Sequence, residues 1–201
     1  MAKFLDSMIG FNNISDGDIH MNLISEGVNR ILKNLDEISF EGQRVLVTGG
    51  AGFIGSNVVD GYIAAGHEVI VVDNLFTGKK ENINPAAKFY KVDIRDKALK
   101  EVFEAEQPEV VNHHAAQISV PASVEDPVFD ADVNVLGLLN VLECCRKYST
   151  KKIIFISSGG VVYGETDIIP TPEDYPLRPM SPYAITKFIS EHYLNFYKHQ
   201  Y

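Results

Sequence analysis

Tyr183 and Lys187 lie four residues apart in the stretch Ser181-Pro182-Tyr183-Ala184-Ile185-Thr186-Lys187, and that spacing puts both side chains on one face of a helix. Ser181 is placed to cap such a helix and Pro182 to open it. A free phenol titrates near about 10, so serving as a base at neutral pH requires a change of about three pH units, or roughly 4 kcal/mol. One positive charge at about 4 Å in an effective dielectric near 20 supplies that much. Lys187 is thus sufficient in magnitude to make Tyr183 a working acid/base. Tyrosine and lysine at this spacing are common on helix surfaces, so the pair takes its meaning from what the rest of the chain sets beside it.

The second constellation is Thr48-Gly49-Gly50-Ala51-Gly52-Phe53-Ile54-Gly55, which follows a predicted strand and opens a predicted helix. In that setting Gly49 takes the tight turn, Gly52 lets the backbone approach a pyrophosphate, and Gly55 lets the helix pack closely on the strand. The amides that open the helix, at Phe53 and Ile54, then face the anion. Asp73 closes the next strand, 18 positions beyond Gly55, where a carboxylate meets the ribose hydroxyls of a dinucleotide and repels a 2′-phosphate. NAD is therefore expected over NADP. The plainer alternatives are a ligand-free glycine turn and, for Asp73-Asn74, an ordinary entry into a loop.

The elements that must position these residues are legible in the hydrophobic pattern. From Arg44 the order reads strand (44–48), glycine turn, helix to about 65, strand (68–73), loop, strand (88–92), helix (about 96–105), and strand (110–114). A long helix ending near Tyr148, a strand (152–157) and a last helix from Pro182 complete it. Continuous apolar runs such as Val69-Ile70-Val71-Val72 and Ile153-Ile154-Phe155-Ile156 suit strands covered on both faces. Strands alternating with helical crossovers predict an α/β fold built on a doubly wound parallel sheet. Residues 1–43 read as a separate helical leader with an apolar stripe at Ile24, Val28, Ile31, Leu35 and Ile38, to be buried on this domain or on a second copy of the chain.

Composition narrows the function classes. The 201 residues are 45% hydrophobic and 22% charged, which excludes disordered, collagen-like and coiled-coil chains. A net charge of −9 argues against nucleic acid and anionic membrane as partners. There is no apolar run long enough to cross a bilayer, and Asp6 interrupts any signal-peptide core, so a cytoplasmic location is expected. Cys144 and Cys145 are adjacent and read as small buried thiols. No metal is expected: His113 and His114 point to opposite faces of a strand, and Asp16-Gly17-Asp18 lacks the rest of a calcium loop.

Taken together, the stretch from about residue 44 to the end resembles the extended short-chain dehydrogenase/reductase family, and within it the nucleotide-sugar epimerases of the UDP-glucose 4-epimerase kind. The likeness implies a Rossmann-type NAD-binding domain over 44–201. It carries Asp73, Asn74, Thr77 and Gly78 of Val-Val-Asp-Asn-Leu-Phe-Thr-Gly-Lys into contacts with the cofactor ribose, and Asp93 and Ile94 to its adenine end. Asn-His-His-Ala-Ala-Gln from Asn112 matches the strand end beneath the nicotinamide half, which implies Ala115, Ala116 and Gln117; Asn134 stands where the family places an Asn on its long helix. Tyr183 and Lys187 match the catalytic pair.

The departure is Ile-Ser-Ser-Gly-Gly-Val-Val-Tyr-Gly from Ile156, where Gly159 replaces the Ser or Thr that many relatives carry. A Thr-Gly-Gly-Ala-Ile-Tyr-Gly variant of the family shifts that hydroxyl to the position of Ser158, with Ser157 the alternative. Val161 stands where dehydratases carry a Glu. The resemblance implies transient oxidation of a nucleotide sugar at C4 and return of the hydride to the opposite face. The family also continues beyond its Tyr-Lys helix into a substrate-binding region, so this chain alone is expected to bind NAD weakly and epimerise little. Two alternatives stand beside this one: an NAD-binding module without turnover, acting as a cofactor sensor or interaction subunit, and another NAD-dependent nucleotide-sugar oxidoreductase.

Overall fold

Val45, Val47, Val69 and Val71 alternate with Leu46, Ile70 and Val72 along two neighbouring strands, and each set is buried in a different core. Since successive side chains of a strand point to opposite faces, these strands need a helical layer on both sides. The computed structural model describes residues 42–201. In order, β1 (Arg44–Thr48), α1 (Phe53–Ala64), β2 (Glu68–Val72), β3 (Lys88–Tyr90), α2 (Ala98–Glu106) and β4 (Val110–His113) form the first half. Then come α3 (Val120–Glu125), α4 (Pro127–Ala131), a π-helical turn (Asp132–Leu136), α5 (Gly137–Lys147), β5 (Lys152–Phe155), α6 (Gly159–Val162) and α7 (Pro182–Gln200).

The five strands are all parallel, in the order β3-β2-β1-β4-β5. One core joins Leu46, Ile70 and Val111 to Leu99 and Phe103 of α2 and Val141 of α5; the other joins Val45, Val47, Val69 and Val110 to Val59 of α1. This is the doubly wound α/β sheet that the pattern predicts. Thr48 pairs with both Val72 and His113, so β1, β2 and β4 end level. The chain reverses its order between β1 and β4, and such a switch point opens a crevice at the carboxyl ends of the strands.

The long helix expected to end near Tyr148 is instead three helices and a π-turn. Pro127 disfavours helical geometry at the residue before it, and Asp126 leaves the helix with φ −136° and ψ 80°, its side chain accepting from the Phe129 amide to start α4. Strand ends also differ. Pairing stops at Val72, Tyr90, His113 and Phe155, each one or two residues short of the predicted strand end, so Asp73, His114 and Ser157 become loop residues at the crevice end of the sheet. Cys144 and Cys145 are buried in the α2–α5 core, and burial pushes their thiols up to about 11 and about 12, which leaves them un-ionised and inert.

Tyr163–Arg178 is the described part of a second unit, apart from the one that holds Glu41–Val162 and Pro179–Tyr201. Within it Gly164 has φ of +67°, a Cβ there would stand 2.4 Å from the Arg178 carbonyl oxygen, and the Tyr163 and Tyr175 rings meet edge to face. The predicted leader helix and the Asp16-Gly17-Asp18 stretch lie outside the described residues.

Candidate functional site

The glycine turn is built by close approach. Gly49 has φ of +70°, donates its amide to the Val72 carbonyl at 2.8 Å, and would bring a Cβ within 2.7 Å of the Ala115 nitrogen. A Cβ on Gly55 would stand 2.2 Å from the Gly49 carbonyl oxygen, so Gly55 seats α1 on the turn itself, tighter than the helix–strand contact expected of it. Gly52 is the extended residue before α1, and the first helical bond runs from the Ser56 amide to the Gly52 carbonyl. The amides of Phe53, Ile54 and Gly55 precede that ladder, as in any first turn. The side chains of Phe53 and Ile54 are 86% and 60% exposed, and they flank those amides with apolar surface.

Asp73 is buried, and its two carboxylate oxygens accept from the amides of Ala51 at 3.0 Å and Leu75 at 2.7 Å. It thereby fastens the glycine turn to the following loop. Gly78 closes over it, since a Cβ there would lie 3.0 Å from the Asp73 Oδ1; Thr77 is exposed beside it. Asn74 donates to Asp93, whose carboxyl the Arg95 guanidinium holds well below the usual carboxylate range. Arg95 continues to Asp132 on the π-turn and lies over the Phe129 ring. Ile94 is buried in the core, and its carbonyl accepts from Asn140.

Ser181 caps α7 by accepting from the Ala184 amide, with Pro182 at the first helical position, as the sequence predicts. The remaining free amide at Tyr183 donates to the buried Ser123 hydroxyl of α3. Tyr183 and Lys187 are both buried. The Lys187 ammonium donates to the Ile156 carbonyl at 2.9 Å and sits 4.8 Å from the centre of the Phe155 ring and 5.9 Å from that of Tyr183. Burial pulls Lys187 down to about 8, opposed by the charges of Asp130 and Glu191. The folded chain therefore binds this proton more weakly than the unfolded chain does. The ionised lysine costs the fold about 3 kcal/mol below about pH 8, relieved as the pH rises from there toward the ordinary lysine value.

A short path joins the two constellations. Thr48, the last residue of β1, shares a hydrogen bond with His113 Nδ1 at 2.8 Å and accepts from the Ala115 amide. The His113 ring stacks on Phe155, over which Lys187 stands. Burial pushes His113 down to about 3, so it is neutral at physiological pH and adds no charge beside the ammonium.

The serines are separated by their partners. Ser157 is exposed and donates a short hydrogen bond to Glu191 of α7. Ser158 is half-buried; its carbonyl starts α6 by accepting from Val161 and Val162, and its hydroxyl has no hydrogen-bond partner among the described residues.

Asn134 sits on the π-turn with its side chain committed to protein: it accepts from the Gln117 amide and donates to the Gln117 carbonyl. It thus shapes the loop of Ala115, Ala116 and Gln117 rather than standing free. Asp130, Thr186, Ser123, Phe155 and Glu191 were not singled out from the sequence. The signals for two of them are spacing: Asp130 lies four before Asn134, and Thr186 three after Tyr183, one helical turn in each case.

Residues 45–201 match the model of the NAD dependent epimerase/dehydratase family. The chain is 47% identical to the UDP-glucose 4-epimerase of Mycolicibacterium smegmatis over 163 residues, which cover 79% of this chain and 52% of that protein. Among solved structures, it is similar to the Thermus thermophilus UDP-glucose 4-epimerase complex with NAD, at 51% identity and a TM-score of 0.77 over 79% of this chain and 51% of that one. The Thermotoga maritima UDP-glucose 4-epimerase with UDP-glucose is similar at 49% identity and a TM-score of 0.77, over 79% and 52% of the two chains. The chain spans about half the length of the curated relatives it matches.

Proposed function

The chain belongs to the NAD dependent epimerase/dehydratase family, and from that premise we propose that its site serves NAD-dependent epimerisation of a nucleotide sugar, of the UDP-glucose/UDP-galactose type, by transient oxidation at C4. The observation that carries the reading is the path Thr48–His113–Phe155–Lys187, which sets a buried Tyr-Lys pair at the same end of the sheet as the glycine turn.

The residues present fit the cofactor. At Gly49 and Gly55 a Cβ would collide with backbone, the amides of Phe53 and Ile54 precede the α1 ladder, and each oxygen of Asp73 accepts from one amide, which leaves further lone pairs for a ribose diol. Gly49, Gly52 and Gly55 with Phe53 and Ile54 would hold the pyrophosphate. Asp73, Asn74, Thr77 and Gly78 would take the ribose, Asp93 and Ile94 the adenine, and Ala115, Ala116 and Gln117, shaped by Asn134, the nicotinamide half. Bound there, NAD supplies a reversible hydride acceptor that ends the cycle as it began. Tyr183 removes the C4 hydroxyl proton and later returns it, Ser158 orients that oxygen, and the Lys187 ammonium, 5.9 Å from the centre of the Tyr183 ring, takes the nicotinamide ribose.

Proton NMR of UDP-glucose and UDP-galactose with the chain and either NAD or NADP tests the reading. Slow conversion with NAD is expected of this chain alone, and NAD binding, though weak, at least about five-fold tighter than NADP in calorimetry, because like charges at the 2′ position cost about 1 kcal/mol or more. Equal affinities would remove Asp73 from its role. Steady growth of absorbance at 340 nm would turn the reading to net oxidation, and NAD binding without conversion to a module that holds cofactor only.

The proposal extends to a cytoplasmic location and to a homodimer. Among the described residues no helix is long and apolar enough to cross a membrane. Exposed Val128, Leu136, Ile185 and Phe196 on the helices support self-association, which sedimentation velocity tests; a monomer at all concentrations would refute it.

A further inference from the structure

Asp130, on α4, has no part in the reaction as described, yet its side chain is 0% exposed. Its carboxylate accepts three side-chain hydrogen bonds: from the Gln117 amide at 2.8 Å, the Asn134 amide at 3.1 Å and the Thr186 hydroxyl at 2.8 Å. Those donors belong to three different parts of the site: the loop after β4, the π-turn, and α7 between Tyr183 and Lys187. A carboxylate removed from water is strongly unfavourable unless donors and a counter-charge answer it. A fold that needed only to join these segments would do so at less cost with an amide or a hydroxyl.

We infer that Asp130 is a positioning residue of this site, clamping the Gln117 loop, Asn134 and the catalytic helix in one geometry and acting as the fixed anion for the buried ammonium of Lys187. The inference rests on the reading of Tyr183 and Lys187 as the working pair.

The charged and titratable groups around Lys187 make Asp130 the dominant anion. Tyr183 and Glu191 share its helix, His113 and His114 face it from the end of β4, and the end of β5 and the residue after it offer the uncharged Phe155 ring and Ile156 carbonyl. Both histidines are driven toward their neutral forms, chiefly by burial. Glu191 is half-exposed and already takes the Ser157 hydroxyl, so water and that bond dilute its effect. Asp130 is shielded from solvent, and a charge in such surroundings is screened less than a half-exposed one.

The test uses the whole chain labelled with [13Cε]lysine, without cofactor, with the Lys187 signal identified by its loss in Lys187→Arg. Its titration midpoint is expected near 8 and should fall by about 1 in Asp130→Asn. Thr186→Val removes one hydrogen bond but keeps the carboxylate, so it should lower the melting temperature and leave the midpoint in place. A merely structural Asp130 would cost stability in both variants and move the midpoint in neither, which would overturn the inference. Should Asp130→Asn fail to fold, the unaltered chain decides: the [13Cγ] signal of Asp130 must step at the Lys187 midpoint, and a flat trace there overturns the inference. Calorimetric NAD titration of the same samples separates the two claims. NAD binding with an unmoved Lys187 removes this inference alone, whereas a moved Lys187 without NAD binding removes the proposed function and supports the role of Asp130.

Discussion

Tyr183→Phe should lower conversion of UDP-glucose by about 10²- to 10⁴-fold, the span expected for losing a positioned proton-transfer group, while changing NAD affinity by less than about two-fold. The substitution keeps the ring. That ring is buried at the start of α7, where Ser123 holds the backbone amide and Ser181 caps the helix, and the Lys187 ammonium is anchored elsewhere, on Ile156 and over Phe155. Nothing that positions the pair depends on the phenolic oxygen, so the fold should lose at most about 1 kcal/mol. Product ratios by NMR and a calorimetric NAD titration on the same sample check both halves. A rate within ten-fold of the unaltered chain would mean that another group moves the C4 proton.

Gly55→Ala should abolish measurable NAD binding and lower the melting temperature by roughly 2–12 °C, the equivalent of 1–3 kcal/mol of overpacking in a chain of this size. The added methyl would stand 2.2 Å from the Gly49 carbonyl oxygen, and that carbonyl cannot retreat. Gly49 is held by its bond to Val72 on one side and by contact with Ala115 on the other. The start of α1 must move instead, taking with it the amides of Phe53 and Ile54. Gly61→Ala is the matched control. It lies in the same helix, nothing lies within 4 Å of the added carbon, and it should stabilise by about 0.5–1 kcal/mol. Equal effects of the two substitutions in differential scanning calorimetry would show that close approach at Gly55 is not what the turn requires.

The strand order and the glycine turn were legible because they rest on local patterns: alternation along β1 and β2, and small residues between a strand and a helix. The Tyr-Lys pair was legible for the same reason, as one helical turn with its own cap. What stayed hidden was long-range. Asp126-Pro127 breaks the long helix through a backbone restriction that the apolar periodicity on either side conceals. The resemblance puts Asn134 on the long helix, but no local pattern shows that its orientation is decided by Gln117, 17 residues away, and by Asp130 and Thr186. Nor does any local pattern mark Ser157 as tied to Glu191, 34 residues on, the bond that separates it from Ser158.

The path from the glycine turn to the catalytic pair also has a kinetic side. Its bonds close large loops: Thr48 to His113 spans 65 residues, Thr186 to Asp130 spans 56, and Lys187 to Ile156 spans 31. Contacts so distant along the chain form only after their loop-closure entropy has been met by the sheet beneath them, which makes such topologies slow to assemble. The burial of Lys187 opposes the fold instead of driving it. The reactive end of the molecule is therefore expected to be completed late in folding, once β1 and β4 have paired.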